Sequence, residues 1–312
     1  MATSSVSTAF QWLFAPATDE VPRAQAIGAA ALRVLVGLLW LYNVAWKRAP
    51  EFGEDAGNGL FKFTSAAVDH PVFPPFSWVV ENVVLPNFAL FGWGVLAAET
   101  ALAVLLLTGA WVRLAALVGI AQSVAIGLSV AFAPNEWPWS YWLMIGAHGL
   151  LLVSSAGRVF AVDAVRARLA PPRSIALPWG VAAVLVGAFS VLASLDDPLA
   201  KRGPGLRSTD LSISLGEYNL VGGLVLVGAG ALLLAAAGGT LRIAALVGAG
   251  LALLGGLSLH AQLGFSDPLL GGTATSAAFL ISVGVVAAVV GSRDLASAPD
   301  VHQPAREQRN TA

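Results

Sequence analysis

Long apolar runs alternate along the chain with short segments that contain polar residues, proline or glycine. A transmembrane helix needs about 20 largely apolar residues, whereas the strands of a membrane barrel alternate apolar and polar positions. The pattern therefore predicts an all-α integral membrane protein with about eight transmembrane helices. The predicted spans are Ala24–Ala45, Phe88–Leu107, Val112–Phe132, Trp139–Ser155, Trp179–Leu195, Tyr218–Ala237, Leu241–Leu263 and Gly272–Gly291.

Composition supports a membrane protein and excludes several kinds of site. Of the 312 residues, 57% are hydrophobic and 11% are charged, against about 25% charged in a soluble domain. The chain contains no cysteine, which excludes disulfides and makes iron–sulfur clusters untenable. A net charge of −1 gives no indication of nucleic-acid binding. Because the chain has no cysteine, redox chemistry would depend on a bound or diffusible cofactor.

Basic residues predict how the chain is oriented in the membrane. An even number of spans places both termini on one side, and that side carries ten arginines, while the opposite loops carry six basic and eleven acidic residues. The positive-inside rule then predicts cytoplasmic termini for a multi-pass protein of the inner, or plasma, membrane. Residues 1–23 are the cytoplasmic N-terminal segment, whose apolar positions 10–14 fit either an interfacial amphipathic turn or a disordered tail. Residues 292–312 are predicted to be a disordered cytoplasmic tail.

Loop lengths divide the chain into two four-helix halves. The first membrane domain comprises residues 24–170, with an external loop over 47–87, and a second, degenerate bundle comprises residues 171–291. Val104–Gly119 and Leu233–Gly248 are identical at eight of sixteen positions, which indicates a parallel repeat. The second half is rich in glycine and alanine, which predicts close helix packing or a surface for homo-oligomerisation.

Aromatic residues gather at the predicted outer ends of the first-half spans. Trp40 ends the first span, and Trp142 lies near the start of the fourth. An interfacial aromatic belt explains this distribution, and stacking on a quinone ring is the alternative. The stretch Val72–Trp78 is too apolar for a free loop, so it is predicted to fold back as an interfacial or re-entrant lid.

Four polar side chains fall inside the first-half spans. Counting residues from the span ends places Arg33, Glu99, Gln122 and His148 at one depth. Ionisable groups in hydrocarbon are costly and are usually paired, which predicts an Arg33–Glu99 ion pair with Gln122 and His148 as hydrogen-bonding neighbours. The cluster either fixes helix register or handles protons, for which His148 has a suitable unperturbed pKa. Neither a haem nor a structural metal is expected, because no histidine partner or ligand cluster is evident.

The first half resembles the DoxX/DoxD superfamily over residues 24–170. The residues that carry the resemblance are Ala31–Trp40 followed by Trp46-Lys47, Ala98-Glu99 ahead of Leu106–Leu117, and Ser155–Arg158 with Asp163. The resemblance implies a four-helix membrane bundle that works with redox proteins. In the DoxD branch, which includes the small membrane subunit of thiosulfate:quinone oxidoreductase, it implies electron transfer from thiosulfate to quinone. Arg33 and Glu99 match the intramembrane charged positions of the superfamily.

The leading functional hypothesis is a quinone-interacting membrane subunit of a thiosulfate, or other sulfur compound:quinone oxidoreductase system. In it Glu99 and His148 are the catalytic candidates for proton handling. The candidates for binding the quinone cofactor are Arg33, Gln122, Trp40 and Trp142. A partner redox subunit is required, since the chain has no recognisable flavin or haem motif. The alternatives are a small-solute transporter and a non-catalytic membrane scaffold for redox enzymes.

Overall fold

The computed structural model describes residues 2–207, 212–238 and 241–292, and these residues are helical apart from one short hairpin and the connecting segments. The predicted disordered tail lies outside the described residues except for Ser292. In chain order the elements are α1 (Ala2–Phe14), α2 (Arg23–Ala45), α3 (Gly59–Asp69), α4 (Pro74–Val79), a π-helical turn (Val80–Val84), a 3-10 turn (Leu85–Asn87), α5 (Phe88–Thr108), α6 (Val112–Val130), α7 (Trp139–Val153), α8 (Val162–Arg166), α9 (Arg173–Ala193), β1 (Gly205–Arg207), β2 (Ser212–Ser214), α10 (Leu220–Ala237), α11 (Arg242–Gln262) and α12 (Ala274–Ser292).

The all-α membrane class is confirmed. Seven helices of the described chain are long and apolar enough to cross a membrane. The predicted fourth span forms α7, whose 15 residues extend over about 22 Å, short of the hydrocarbon thickness. The antiparallel β1–β2 hairpin pairs Gly205 with Ser214 and lies in a connection between helices.

The second span differs from its prediction. Its helical run extends over Pro74–Thr108 and contains 35 residues, so the stretch predicted as a lid instead begins this span. Pro74 and Pro75 occupy the first helical turn, where the missing N–H groups have no intrahelical partner to lose. The run passes through the π-helical and 3-10 turns next to Pro86, which cannot donate a helical hydrogen bond. The loop predicted to be external covers the bundle through α3, which packs against α6.

Two ends of the helical assembly can be defined from the connections. We call the end that contains the N-terminal segment, the α5–α6 turn and the α7–α9 connection the terminal face. A hydrogen bond from Gly157 N–H to Ala17 O, at 2.9 Å, joins two of these segments. The other end, which carries α3, the α6–α7 loop and the hairpin, is the opposite face. The N-terminal segment forms α1 on the terminal face, which favours the amphipathic alternative over a disordered tail.

The two halves share a continuous core through α12. This helix packs against α2 and α5 of the first half and against α9, α10 and α11 of the second. It is apolar on all sides, which is typical of a helix surrounded by protein. The small residues predicted as a packing surface are used within the chain, since Gly248 lies against Ala229 of α10 and Gly256 against Ala277 of α12.

Candidate functional site

A cavity of about 330 Å³ lies inside the first half, between α2, α5, α6 and α7 and beneath α3 and the π-helical turn. Its volume falls within the range of about 300–1,000 Å³ that is usual for small-molecule sites. Its lining is Asn43, Trp46, Lys47, Leu60, Phe63, Thr64, Phe76, Val79, Val80, Val84, Phe91, Val95, Glu99, Gln122, Ala125, Ile126, Ser129, Val130, Glu136, Tyr141 and Met144. Isolated π-helical turns are frequent at functional sites, and here Val80 and Val84 place one in the cavity wall.

The polar part of this cavity is a buried ion pair. Lys47 Nζ pairs with Glu99 Oε2, and both side chains are almost completely buried. Lys47 Nζ also donates to Asn43 O at 3.0 Å, and Gln122 Nε2 donates to Glu99 Oε1 at 3.4 Å. Burial lowers the pKa of Lys47, which follows the first span, and neighbouring Glu99 opposes that shift. The cavity thus presents an ammonium, a carboxylate and an amide within an otherwise apolar and aromatic wall.

The predicted Arg33–Glu99 ion pair is wrong. Arg33 is buried and donates from Nη1 to Leu106 O and from Nη2 to Phe160 O, both at 2.7 Å. The register of α2 and α5 explains this, because a Cβ at Gly37 would lie 3.0 Å from Leu107 N. Arg33, one turn earlier, therefore reaches the final carbonyls of α5, about 12 Å along that helix from Glu99. A guanidinium at a helix C-terminus satisfies carbonyls that lack intrahelical partners.

A second polar cluster, centred on Asp163, lies at the terminal face and joins the α5–α6 turn to α8. Asp163 Oδ1 accepts hydrogen bonds from Trp111 N–H at 3.1 Å and from Arg166 Nη1 at 2.7 Å. Its Oδ2 accepts from Val112 N–H at 3.2 Å, at the first residue of α6. A carboxylate at this position satisfies backbone donors at the helix N-terminus and interacts favourably with the helix dipole. The sequence pattern gave Asp163 no functional role, and it entered only through the family resemblance.

His148 and Trp40 pair with each other instead of lining the cavity. Trp40 Nε1 donates to His148 Nε2 at 2.9 Å, so Nε2 is the accepting nitrogen and the imidazole is neutral. The other nitrogen, Nδ1, lies 2.8 Å from Met144 O and donates to it in this tautomer. Both ring nitrogens are thus engaged away from the ion pair. These contacts favour a role for His148 in fixing helix register.

The packing around His148 gives a stability prediction. A Cβ added at Gly119 would fall on the imidazole of His148, whereas one added at Gly146 would meet nothing within 4 Å. Gly119→Ala is therefore expected to lower the free energy of unfolding by about 1–3 kcal/mol. Gly146→Ala, the matched control, should be neutral or stabilising, because alanine is favoured over glycine in a helix. Equilibrium unfolding in one detergent compares the two, and equal effects would contradict the predicted clash.

The remaining aromatic candidate, Trp142, is 70% exposed and fits the interfacial belt. Other aromatic residues line the cavity: Trp46, Phe63, Phe91 and Tyr141. The hydroxyl of Tyr141 donates to Glu136 Oε2, and both residues lie in the cavity wall toward the opposite face. Of the predicted candidates, therefore, Glu99 and Gln122 come together at the cavity, while Arg33, Trp40, His148 and Trp142 lie outside it. Lys47 was missed because it was counted as part of an external loop.

Comparisons with protein-family models, curated proteins and solved structures give no match for this chain. The cavity and its polar groups therefore provide the basis for a proposed function. Within the part of the chain that the structure describes, no three His, Asp or Glu side chains are grouped so that they could hold a metal ion. The cavity groups are instead suited to hydrogen bonding with a small, largely apolar molecule.

Proposed function

We propose that the protein is a quinone-binding membrane subunit of an oxidoreductase system. The observation that carries this proposal is the cavity of about 330 Å³ whose aromatic wall ends on the buried Lys47–Glu99 pair and Gln122. Ligand sites of this kind are mostly apolar and contain a few convergent polar groups that fix orientation. A quinone head group likewise combines a flat apolar ring with two carbonyl oxygens that accept hydrogen bonds.

The residues of the cavity fit such a ligand in named roles. The Lys47 ammonium and the Gln122 amide can each donate a hydrogen bond to a quinone carbonyl. Trp46 and Phe91 offer aromatic surfaces for the ring, and Glu99 can hold a proton beside the bound head group. A bound quinone would supply the electron-accepting chemistry that no side chain of this cysteine-free chain provides.

The electron donor belongs to a partner redox subunit in this proposal. Support for a sulfur compound such as thiosulfate comes from the DoxX/DoxD resemblance of residues 24–170 alone. The site differs from the one that the sequence pattern predicts, because Lys47 takes the place of Arg33 beside Glu99. Arg33 and His148 are assigned to helix positioning.

Quinone binding is tested directly on protein reconstituted in lipid nanodiscs. We expect extracted lipid to contain about one quinone per chain and short-chain quinones to quench tryptophan fluorescence. Loss of one neutral hydrogen bond costs about 0.5–1.5 kcal/mol, so Gln122→Leu should weaken binding by about three- to tenfold. Gln25→Leu is the matched control, because Gln25 is exposed on α2 and is not among the cavity-lining residues. No copurified quinone and no saturable quenching would refute the proposal.

Functional assays distinguish a small-solute transporter and a non-catalytic scaffold from a quinone-binding subunit. A buried charged pair inside a membrane bundle is also typical of substrate pathways. Transport would appear as solute flux into proteoliposomes that is lost in Glu99→Gln and is unaffected by quinone depletion. A scaffold would retain its complexes with soluble redox enzymes in Gln122→Leu and would bind no quinone.

A further inference from the structure

The terminal face presents exposed positive charge. Its described residues include seven arginines, three acidic residues and no lysine. Two of the acids, Asp19 and Asp163, are already engaged in ion pairs. Arg23, Arg168 and Arg173 are exposed and form no ion pair within the part of the chain that the structure describes. This face therefore carries uncompensated guanidinium groups.

Exposed aromatic rings accompany these charges on α1. Phe10 is 63% exposed, and Trp12 and Phe14 are also exposed. The helix is nevertheless attached to the protein, since the Arg113 guanidinium lies 4.6 Å from the centre of the Trp12 ring. Arg166 Nη2 also donates to Phe14 O at 3.3 Å. These contacts hold α1 on the terminal face while leaving Phe10 largely uncovered.

Two more aromatic residues that are exposed on this face have an unusual backbone conformation. Trp111 and Phe160 have φ values of 44° and 52°, in the left-handed region that bulky L residues adopt at a steric cost. Each is held by a strong contact, Trp111 N–H to Asp163 and Phe160 O to Arg33. Both rings are exposed. Strained residues that the surroundings hold in place are concentrated at functional surfaces.

We infer that this surface, formed by α1, Trp111, Phe160 and the exposed arginines, seats the headgroups of anionic phospholipids. Trp111 follows the end of α5, which is long enough to span the bilayer, and Arg33 bonds both Leu106 O near that end and Phe160 O. Both rings therefore lie near headgroup level, where aromatic anchors are favoured. An amphipathic helix with apolar rings and nearby cations binds in the plane of an anionic membrane surface. In this position the lipid phosphate groups pair with Arg23, Arg168 and Arg173. The apolar side chains of the surface enter the boundary between the headgroups and the acyl chains. The inference is independent of the proposed quinone site.

The absence of cysteine allows the position of α1 to be measured in the full-length protein. A nitroxide on Phe10→Cys reports collisions with oxygen, which is concentrated in the bilayer, and with a water-soluble nickel complex. In bilayers of phosphatidylcholine with about a quarter phosphatidylglycerol, we expect the label to be protected from nickel and accessible to oxygen. A label at Glu54→Cys, on an exposed loop of the opposite face, is the water-exposed reference.

Charge removal tests the role of the arginines. Electrostatic attraction to an anionic surface corresponds to about a fivefold change in affinity per arginine. Arg168→Gln with Arg173→Gln should therefore reduce the preference of the purified protein for copurified phosphatidylglycerol about 25-fold at most. Lys62→Gln, exposed on α3, should leave that preference unchanged. A Phe10 label open to nickel in the bilayers that contain phosphatidylglycerol would overturn the inference, as would an anionic-lipid preference that survives the arginine substitutions.

Discussion

Lys47→Met is expected to destabilise the protein by about 3–5 kcal/mol, because it leaves the Glu99 carboxylate buried without its cationic partner. Substituting both partners removes the uncompensated charge, so Lys47→Met with Glu99→Gln should recover most of that loss. The free energy of unfolding, measured in one detergent for the two single variants and the double variant, gives the coupling between the side chains.

Lys62→Met serves as the control for this comparison. Lys62 is exposed on α3, and its substitution removes the same charged group without leaving a buried acid. We expect its effect to be small. Additive losses in the Lys47 and Glu99 variants would show that the two side chains are not energetically coupled. That result would contradict the buried ion pair on which the proposed quinone site depends.

Asp163→Ala should also cost about 3–5 kcal/mol, since a buried carboxylate that pairs with Arg166 also receives the N–H groups of Trp111 and Val112. Its removal leaves the N–H groups of Trp111 and Val112 without their side-chain acceptor, so that only the backbone bond from residue 163 N–H to Gly109 O, at 2.9 Å, still joins α8 to the α5–α6 turn. We expect a lower thermal midpoint and faster proteolysis at the terminal face, with quinone affinity little changed in the remaining folded protein.

The chain offers a matched control in Asp267. This residue is fully exposed and pairs with Lys201 at 3.6 Å on the opposite face. Solvent screening makes such surface pairs weak, so Asp267→Ala should leave the thermal midpoint almost unchanged. Equal losses in the two alanine variants would mean that Asp163 does not organise the terminal face.

Apolar periodicity and length located the membrane helices well. The predicted first span, Ala24–Ala45, differs by one residue from α2, and each predicted span corresponds to a helix. The second span was predicted too short, because the proline pair at Pro74 suggested a break. In a first helical turn those prolines are compatible with the helix, so local composition could not distinguish a lid from a helix start.

The polar contacts were harder to predict, because they depend on the register between helices. Counting from span ends placed Arg33 and Glu99 at one depth, but close approach of Gly37 to Leu107 directs Arg33 to the end of α5. Lys47 lies beyond the first span in sequence, yet its long side chain extends to Glu99. Glu99 and Gln122 were correctly placed together, since both lie midway along helices that pack side by side.

The central position of α12 has a consequence for biogenesis. This helix emerges last from the ribosome among the described spans, yet it contacts α2 and α5, which are made early. The surfaces of α2 and α5 that it covers must therefore remain exposed to lipid, or to an insertion chaperone, until synthesis is nearly complete. Assembly of the cavity-containing half is thereby linked to insertion of the final helix, so a chain terminated before Ala274 would have a first half that lacks part of its packing.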